Sequence, residues 1–252
     1  MSGNQSSNNP GLPGPIPDFS GVAFIYFDLD DTLIDHKTAQ ERAMVDIWTF
    51  YPELQAVVEP GQLTSVYAGV NNRLWTAYRN GEIDQSTLKR HRIEDTFREL
   101  QVEMPDWREI DGVYMECYQR HWEWIADART AFLALTKSYP VGVMTNGFTD
   151  TQQKKFEYFS LHRYSKHLII SEQAGYLKPD PRIFEFSAKK AGYEPGQLLY
   201  VGDSYPSDIV GGSASGWRTA WYHQNGPVPD DNLADFTFRH FSQLVEVLTP
   251  NH

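Results

Sequence analysis

Four short segments place carboxylates, hydroxyls or an amine at spacings that suit chemistry on an anion. The first is Asp28-Leu29-Asp30-Asp31-Thr32, directly after an apolar run. Side chains alternate along an extended chain, which predicts Asp28 and Asp30 on one side, within reach of one ligand. Close carboxylates repel and raise a pKa unless a cation lies between them. The pair therefore implies a metal site or an acid and a base dividing one task; an acidic turn is the plain alternative. The second is Val143-Met144-Thr145-Asn146-Gly147. It offers a hydroxyl, an amide and close backbone approach to an anion, although Asn-Gly is also a turn signal. The third, Leu177-Lys178-Pro179-Asp180-Pro181, sets Lys178 just before a helix start. Its ammonium can meet a phosphate there as a point charge, or it is an ordinary solvated lysine. The fourth, Val201-Gly202-Asp203-Ser204-Tyr205-Pro206-Ser207-Asp208, ends an apolar run in Gly-Asp and adds a later Asp. Oxygen-only ligands of this kind suit Mg²⁺; Asp208 alone would also serve as a helix N-cap.

The elements that must position these residues are legible in outline. Continuous β-forming apolar runs occur at 22–27, 141–144, 168–170, 198–201 and 219–222, the pattern of strands buried on both faces of a parallel sheet. Helix-like stretches separate them. Thr149-Asp150-Thr151-Gln152 reads as a capping box, and Asp180-Pro181 as an N-cap with proline at the first helical position. Gly192 reads as that helix's stop. Strand–helix alternation predicts an α/β fold, a doubly wound parallel sheet of Rossmann-like type. Its ligand site belongs at the carboxyl ends of the strands, where all four segments fall.

The stretch 36–129 breaks the rhythm. Thr38-Ala39-Gln40-Glu41 suggests a capping box, and 63–78 and 88–100 look amphipathic. Of the seven tryptophans, Trp48, Trp75, Trp107, Trp122 and Trp124 lie here. The expected organisation is a flexible tail at 1–19, a catalytic core of 20–35 and 130–252, and an inserted helical cap at 36–129 resting over the site.

Composition limits the partners. The 252 residues hold 33 Asp+Glu against 22 Lys+Arg, a formal charge of −11. That balance speaks against nucleic-acid polymers and anionic membranes, which need a basic footprint. Cys117 is the one cysteine, so an internal disulfide and a cysteine-rich zinc site are excluded. No apolar run reaches the roughly 18 residues of a membrane helix. The 1–19 segment lacks the basic start and apolar stretch of a secretory signal, and the expected location is cytoplasmic. Oligomeric state is not legible.

In order, the segments give a strand-end Asp-x-Asp-x-Thr, a strand-end Thr, a pre-helical Lys and a Gly-Asp followed by another Asp. That set resembles the haloacid dehalogenase-like (HAD) superfamily over essentially the whole chain from Val22, in the branch whose helical cap is inserted between the first two motifs. The resemblance implies a nucleophile at Asp28 and a general acid/base at Asp30, whose backbone carbonyl also binds Mg²⁺. It implies that Thr145 and Lys178, with Asn146 and Gly147, hold the phosphoryl group. Asp203 completes a metal site with Asp28 and Asp30, and Asp208 and Ser204 support it. An aspartate that forms an acyl-phosphate splits one difficult displacement into two, and Mg²⁺ and Lys178 would offset its repulsion from a phosphate dianion.

Asp30 selects within the family. Halide displacement needs no protonated leaving group, and the dehalogenases and phosphonate-cleaving relatives lack this Asp, so the chain looks like a phosphatase. A phosphomutase keeps it and stays open, as does a non-catalytic binding protein on the same fold. Asn71-Asn72-Arg73-Leu74-Trp75 and Arg79-Asn80-Gly81-Glu82-Ile83 resemble the cap of nucleoside 5′-monophosphatases. Sugar-phosphate, acylneuraminate-phosphate and phosphoglycolate phosphatases are the alternatives. Arg73, Trp75 and Arg79 become candidate specificity residues, with Arg92 beside them; surface arginine and core tryptophan are their plainer readings.

Overall fold

The computed structural model describes residues 17–103 and 105–249. Most of the expected 1–19 tail lies outside them. Within the described part, Phe19 is buried in the sheet core, so packing begins before residue 20.

The chain forms two compact units, Asp35–Glu123 and the remainder. In chain order, β1 (Phe24–Phe27) leads into the helical unit, α1 (His36–Phe50), α2 (Pro52–Gln55), α3 (Pro60–Arg79), α4 (Gln85–Glu99) and α5 (Trp107–Arg120). The sheet unit continues with α6 (Ala128–Leu135), β2 (Val141–Thr145), α7 (Thr149–Tyr158), β3 (Ser165–Ile170) and α8 (Ser171–Ala174). It closes with α9 (Pro181–Ala191), β4 (Leu198–Gly202), α10 (Val210–Ala214), β5 (Arg218–Tyr222), β6 (Phe236–Phe238) and α11 (Phe241–Leu248). Among the described residues no helix is long and apolar enough to cross a membrane.

The strands form one sheet in the order β3-β2-β1-β4-β5-β6, every pairing parallel. Successive strands build outward from β1 in one direction, then from β4 in the other. The reversal leaves a crevice beyond the carboxyl ends of β1 and β4, the place such sheets bind ligands. Ile25, Phe27, Val141, Val143, Leu199 and Val201 face one layer with Phe132, Phe241 and Leu244. Phe24, Tyr26, Met144, Leu198 and Tyr200 face the other with Ile183, Phe184 and Trp217. With both faces covered, the central strands β1 and β4 are buried throughout, which is why their apolar runs are continuous.

Local capping follows expectation in one helix and departs from it in two. Asp180 caps α9, accepting from Arg182 N at 2.9 Å, with Pro181 next and Gly192 closing the helix at φ 78°. α7 starts at Thr149 without a side-chain cap, and Thr149 N donates to Glu172 Oε2 at 2.6 Å. The capping box expected at 149–152 is absent because a tertiary carboxylate satisfies that amide. α1 is capped by Asp35, which accepts from Thr38 N at 3.0 Å. Thr38, expected as N-cap of a box with Glu41, instead lies inside the helix, and Gln40 accepts from Asn71 Nδ2 at 3.0 Å.

In the helical unit Asp35 N donates to Glu123 O at 3.0 Å. Trp124 packs edge-on to Phe159, ring centroids 5.3 Å apart, and against Phe132. The helical unit thus ends at Glu123 rather than 129, because Trp124 and α6 bury their apolar faces in the sheet core. Arg92 is no surface arginine: it is 8% exposed. Its Nη2 and Nε donate to Asp111 Oδ1 at 2.6 and 3.2 Å, and it lies over the Tyr114 ring. Burial alone would lower its pKa; Tyr67, Asp111 and Tyr114 outweigh that and raise it.

Removing one partner of a buried pair leaves the other charge uncompensated, a loss of about 3 kcal/mol. Arg92→Met should show it in denaturant unfolding. Arg73, exposed and paired with Glu99, should lose less than about 1 kcal/mol as Arg73→Ala. Gly112, exposed within α5 with open space around its Cα, should gain about 0.5–1 kcal/mol as Gly112→Ala. A neutral Arg92→Met would remove the buried pair from the account of this unit's stability.

Candidate active site

Every motif residue of the sheet unit stands at the carboxyl edge of the sheet or in a loop leaving it. Asp28 follows β1, and its N–H donates to Val201 O at 2.8 Å, continuing the ladder one residue past the strand. Asp203 follows β4, with its carbonyl accepting from Trp221 Nε1 at 2.8 Å. Asp208 sits in a wide, π-type turn, Tyr205–Ile209, and is fully buried. Asp28, Asp203 and Asp208 each bring a carboxylate oxygen within 4.8 Å of the others.

Lys178 binds this cluster together. Its side chain is 2% exposed, and Nζ donates to Asp28 Oδ1 at 2.7 Å, Asp208 Oδ1 at 2.8 Å and Tyr200 Oη at 2.6 Å. An ammonium has three hydrogens, and each has a protein acceptor. Burial alone would lower the Lys178 pKa; Asp208 and Asp28 outweigh it, so the group is held cationic. Burial pushes the Asp28 carboxyl well up, Lys178 pulls it back, and Asp208 and Asp203 push it further. Tyr200 is raised by burial and then by the same carboxylates, and its hydroxyl donates to Met144 O at 2.7 Å.

Neighbouring residues set this arrangement. Asn146 uses its side chain on the lysine's backbone: Nδ2 donates to Lys178 O at 2.9 Å and Oδ1 accepts from Lys178 N at 2.8 Å. Ser204 N donates to Asp208 Oδ2 at 3.0 Å, so Ser204 supports the cluster through its backbone. Thr145, the last residue of β2, is 2% exposed. The motif glycines provide clearance. A Cβ on Gly202 would lie 2.2 Å from Asp208 Oδ2, and one on Gly147 would lie 1.8 Å from Gln152 Nε2.

Asp30 lies in a turn beyond the strand. The chain turns after Leu29, whose carbonyl accepts from both Leu33 N and Ile34 N at 2.9 Å, with Asp31 at φ 60°. Asp30 Oδ2 accepts from Gln152 Nε2 at 2.8 Å, and Oδ1 pairs with Lys155 Nζ. The three carboxylates close enough to share one metal ion are Asp28, Asp203 and Asp208. The candidate specificity residues belong to the helical unit. Arg73 pairs with Glu99, Arg79 donates to Thr76 Oγ1 at 3.1 Å, and partly buried Trp75 meets Tyr78 edge-on at 5.6 Å.

The sequence signature of the haloacid dehalogenase-like hydrolases matches residues 23–216. The chain belongs to that family. Pyrimidine 5′-nucleotidase YjjG of Escherichia coli is 30% identical over 210 residues, 81% of this chain and 88% of that protein. Human N-acylneuraminate-9-phosphatase is 26% identical over 220 residues, 83% of this chain and 86% of that one. Among solved structures, the HAD-hydrolase YfnB of Bacillus subtilis bound to magnesium superposes with a TM-score of 0.77 at 23% identity. It covers 90% of this chain and 98% of its own, a likeness of fold.

Within this haloacid dehalogenase-like hydrolase, sequence reasoning missed Tyr200, Gln152 and Lys155. Tyr200 was hidden inside an apolar run. The other two had a signal: on α7, Gln152 and Lys155 share the buried side with Phe156, and polar residues on a helix's apolar stripe call for a partner.

Gly202→Ala tests the clearance argument. Asp208 would have to move away from its bonds to Lys178 and Ser204 N, and overpacking of this kind is destabilising by about 1–3 kcal/mol. Thermal unfolding should show a clearly lowered Tm. The exposed Gly196, with nothing near its Cα, should tolerate Ala at little change. Equal behaviour of the two variants would refute it.

Proposed function

We propose that the protein is a Mg²⁺-dependent phosphomonoesterase that works through an aspartyl-phosphate on Asp28, with a nucleoside 5′-monophosphate as substrate. The observation that carries this reading is the cluster of Asp28, Asp203 and Asp208, with Asp28 and Asp208 buried on one ammonium, Lys178. Three carboxylates against one ammonium carry a formal −2, which a divalent cation would neutralise. An oxygen-only donor set suits a hard cation such as Mg²⁺. Asp28 and Asp203 would hold it with the Asp30 carbonyl, and Asp208 and Ser204 would support them. When bound, Mg²⁺ supplies positive charge that offsets the repulsion between a carboxylate and a phosphate dianion.

The chain's own residues divide the remaining work. An Asp28 oxygen forms a bond to phosphorus as the bond from phosphorus to the leaving oxygen breaks. Asp30 gives that oxygen a proton, so an alcohol departs, and then takes a proton from the water that attacks the acyl-phosphate. Phosphate leaves and Asp28 is restored. Lys178 keeps Asp28 oriented and contributes a fixed charge beside it. Thr145 and the backbone of Asn146 and Gly147 stand at the next strand end, where an anion's oxygens need neutral donors. The Asn146 side chain takes no direct part, because it holds Lys178.

The nucleotide assignment rests on the 30% identical pyrimidine nucleotidase and on Arg73, Trp75 and Arg79 in the helical unit. The acylneuraminate phosphatase at 26% makes sugar phosphates the second reading.

Phosphate release from p-nitrophenyl phosphate should require Mg²⁺, stop with EDTA and return on Mg²⁺ addition. Asp28→Asn should abolish turnover while leaving the melting curve cooperative. Persistent turnover in that variant would remove Asp28 as nucleophile. In a panel of nucleotides, sugar phosphates, acylneuraminate 9-phosphate and phosphoglycolate, nucleoside monophosphates should give the highest kcat/KM. Were they the poorest class, the nucleotide reading would fall and the phosphatase reading would remain.

A further inference from the structure

We propose that Gln152 and Lys155 are positioning residues that aim the Asp30 carboxyl at the leaving oxygen, with Gly147 shaped to let Gln152 reach it. The inference rests on the acid/base assignment of Asp30 made above. Four observations support it. Gln152 Nε2 and Lys155 Nζ donate to different oxygens of the one carboxylate, so its plane is fixed from both sides. A carboxylate offers about two lone-pair sites on each oxygen, so one donor on each does not bar it from carrying a proton. Both holders come from a single helix, three residues apart on α7, so they act as one rigid fork. Asp30 itself sits in the turn at 29–34, where no strand ladder fixes its side chain.

Burial makes a purely structural origin a poor account. Gln152 is 3% and Lys155 1% exposed, while the side chain they hold is 23% exposed. Two rotamer-rich polar side chains are thus desolvated to orient a carboxylate that still meets solvent. Gln152 Oε1 is buried without a hydrogen-bond partner among the described residues, a loss that a residue placed for stability would avoid. Gly147 completes the argument. Any Cβ there would meet Gln152 at its Nε2, Cδ and Cγ, at 1.8, 2.4 and 2.6 Å. The glycine after the Thr-Asn pair therefore clears the way for the fork.

The test exploits leaving-group chemistry. A nucleoside or alkyl phosphate expels an alkoxide and needs the proton, whereas p-nitrophenyl phosphate expels a stable phenolate and needs little help. Loss of well-aimed acid catalysis costs on the order of 10²-fold. For Gln152→Ala and Lys155→Met, kcat/KM for an alkyl or nucleoside phosphate should fall by about 10- to 100-fold. For p-nitrophenyl phosphate kcat/KM, which reads only the steps through the first displacement, should fall by no more than a few-fold. Gly147→Ala reaches the same fork without altering either holder. Its effect on the nucleoside or alkyl phosphate should be smaller in Gln152→Ala than in the wild type, since the clash is then gone.

Asp30→Asn is the reference. If it shows the selective loss while the Gln152 and Lys155 variants lose both substrates equally, or neither, the positioning proposal is overturned and the acid/base reading stands. If Asp30→Asn shows no selectivity, the acid/base reading fails and takes the fork with it.

Discussion

The arrangement at the sheet edge depends on one buried ammonium. Lys178 comes from the loop between α8 and α9, yet its three hydrogens reach residues placed by β1, β4 and the turn after β4. Without it, Asp28 and Asp208 would share a dehydrated space with Asp203, and such a group cannot stay ionised. Much nearby sequence is explained by holding that ammonium. Asn146 fixes its backbone, Tyr200 accepts from it and passes a hydrogen bond to Met144 O, and Gly202 gives Asp208 room to approach. Such an ion cluster is weak support for stability, and the two apolar layers about the sheet supply that instead. The sheet can hold an electrostatically expensive group because every strand end beside it is already fixed by parallel pairing.

How far the sequence was legible follows from the same division. Strands β1 to β5 were readable because burial on both faces makes their inner segments apolar, and a run of Val, Ile, Leu, Phe and Tyr then has one structural meaning. β6, three residues with a threonine in the middle, carries too little pattern. Asp28, Thr145, Lys178, Asp203 and Asp208 were readable because doubly wound topology sends every strand end to one edge, so order along the chain becomes proximity in space. What stayed hidden had a second, more ordinary meaning. Tyr200 looked like another apolar residue, and Gln152 looked like the end of a capping box. The amide that box would have satisfied is met by Glu172, 23 residues along the chain, and local spacing cannot announce it.

In the helical unit, residue type alone says less than burial does. Its tryptophans and arginines invited a functional reading because large aromatics and cations are the residue types that hold phosphorylated organic ligands. The structure separates them by burial. Arg92 is part of the interior, held by Asp111 and the Tyr114 face. Trp122 is buried, while Arg73 and Arg79 remain at the surface with local partners. Residue type alone could not sort these, because an arginine on a helix's inner stripe and one on its outer face have the same propensity and differ only in what α5 presents to them.

Asp28 and Asp30 are two residues apart and chemically identical, and their environments assign them different work. Asp28 is 7% exposed, tied to the Lys178 ammonium and crowded by two further carboxylates. In the proposed reaction that suits a nucleophile held rigid by Lys178, whose ammonium, with the proposed cation, favours its ionised form. Asp30 is partly open to solvent and held at its two oxygens by separate donors from one helix. That suits a group which must give up a proton and recover one during a cycle, where exchange with water is useful and orientation is what must be preserved. The turn after Leu29 creates the difference. The turn lets one pentapeptide place two carboxylates in unlike surroundings, one on a buried ammonium and one on the donors of α7.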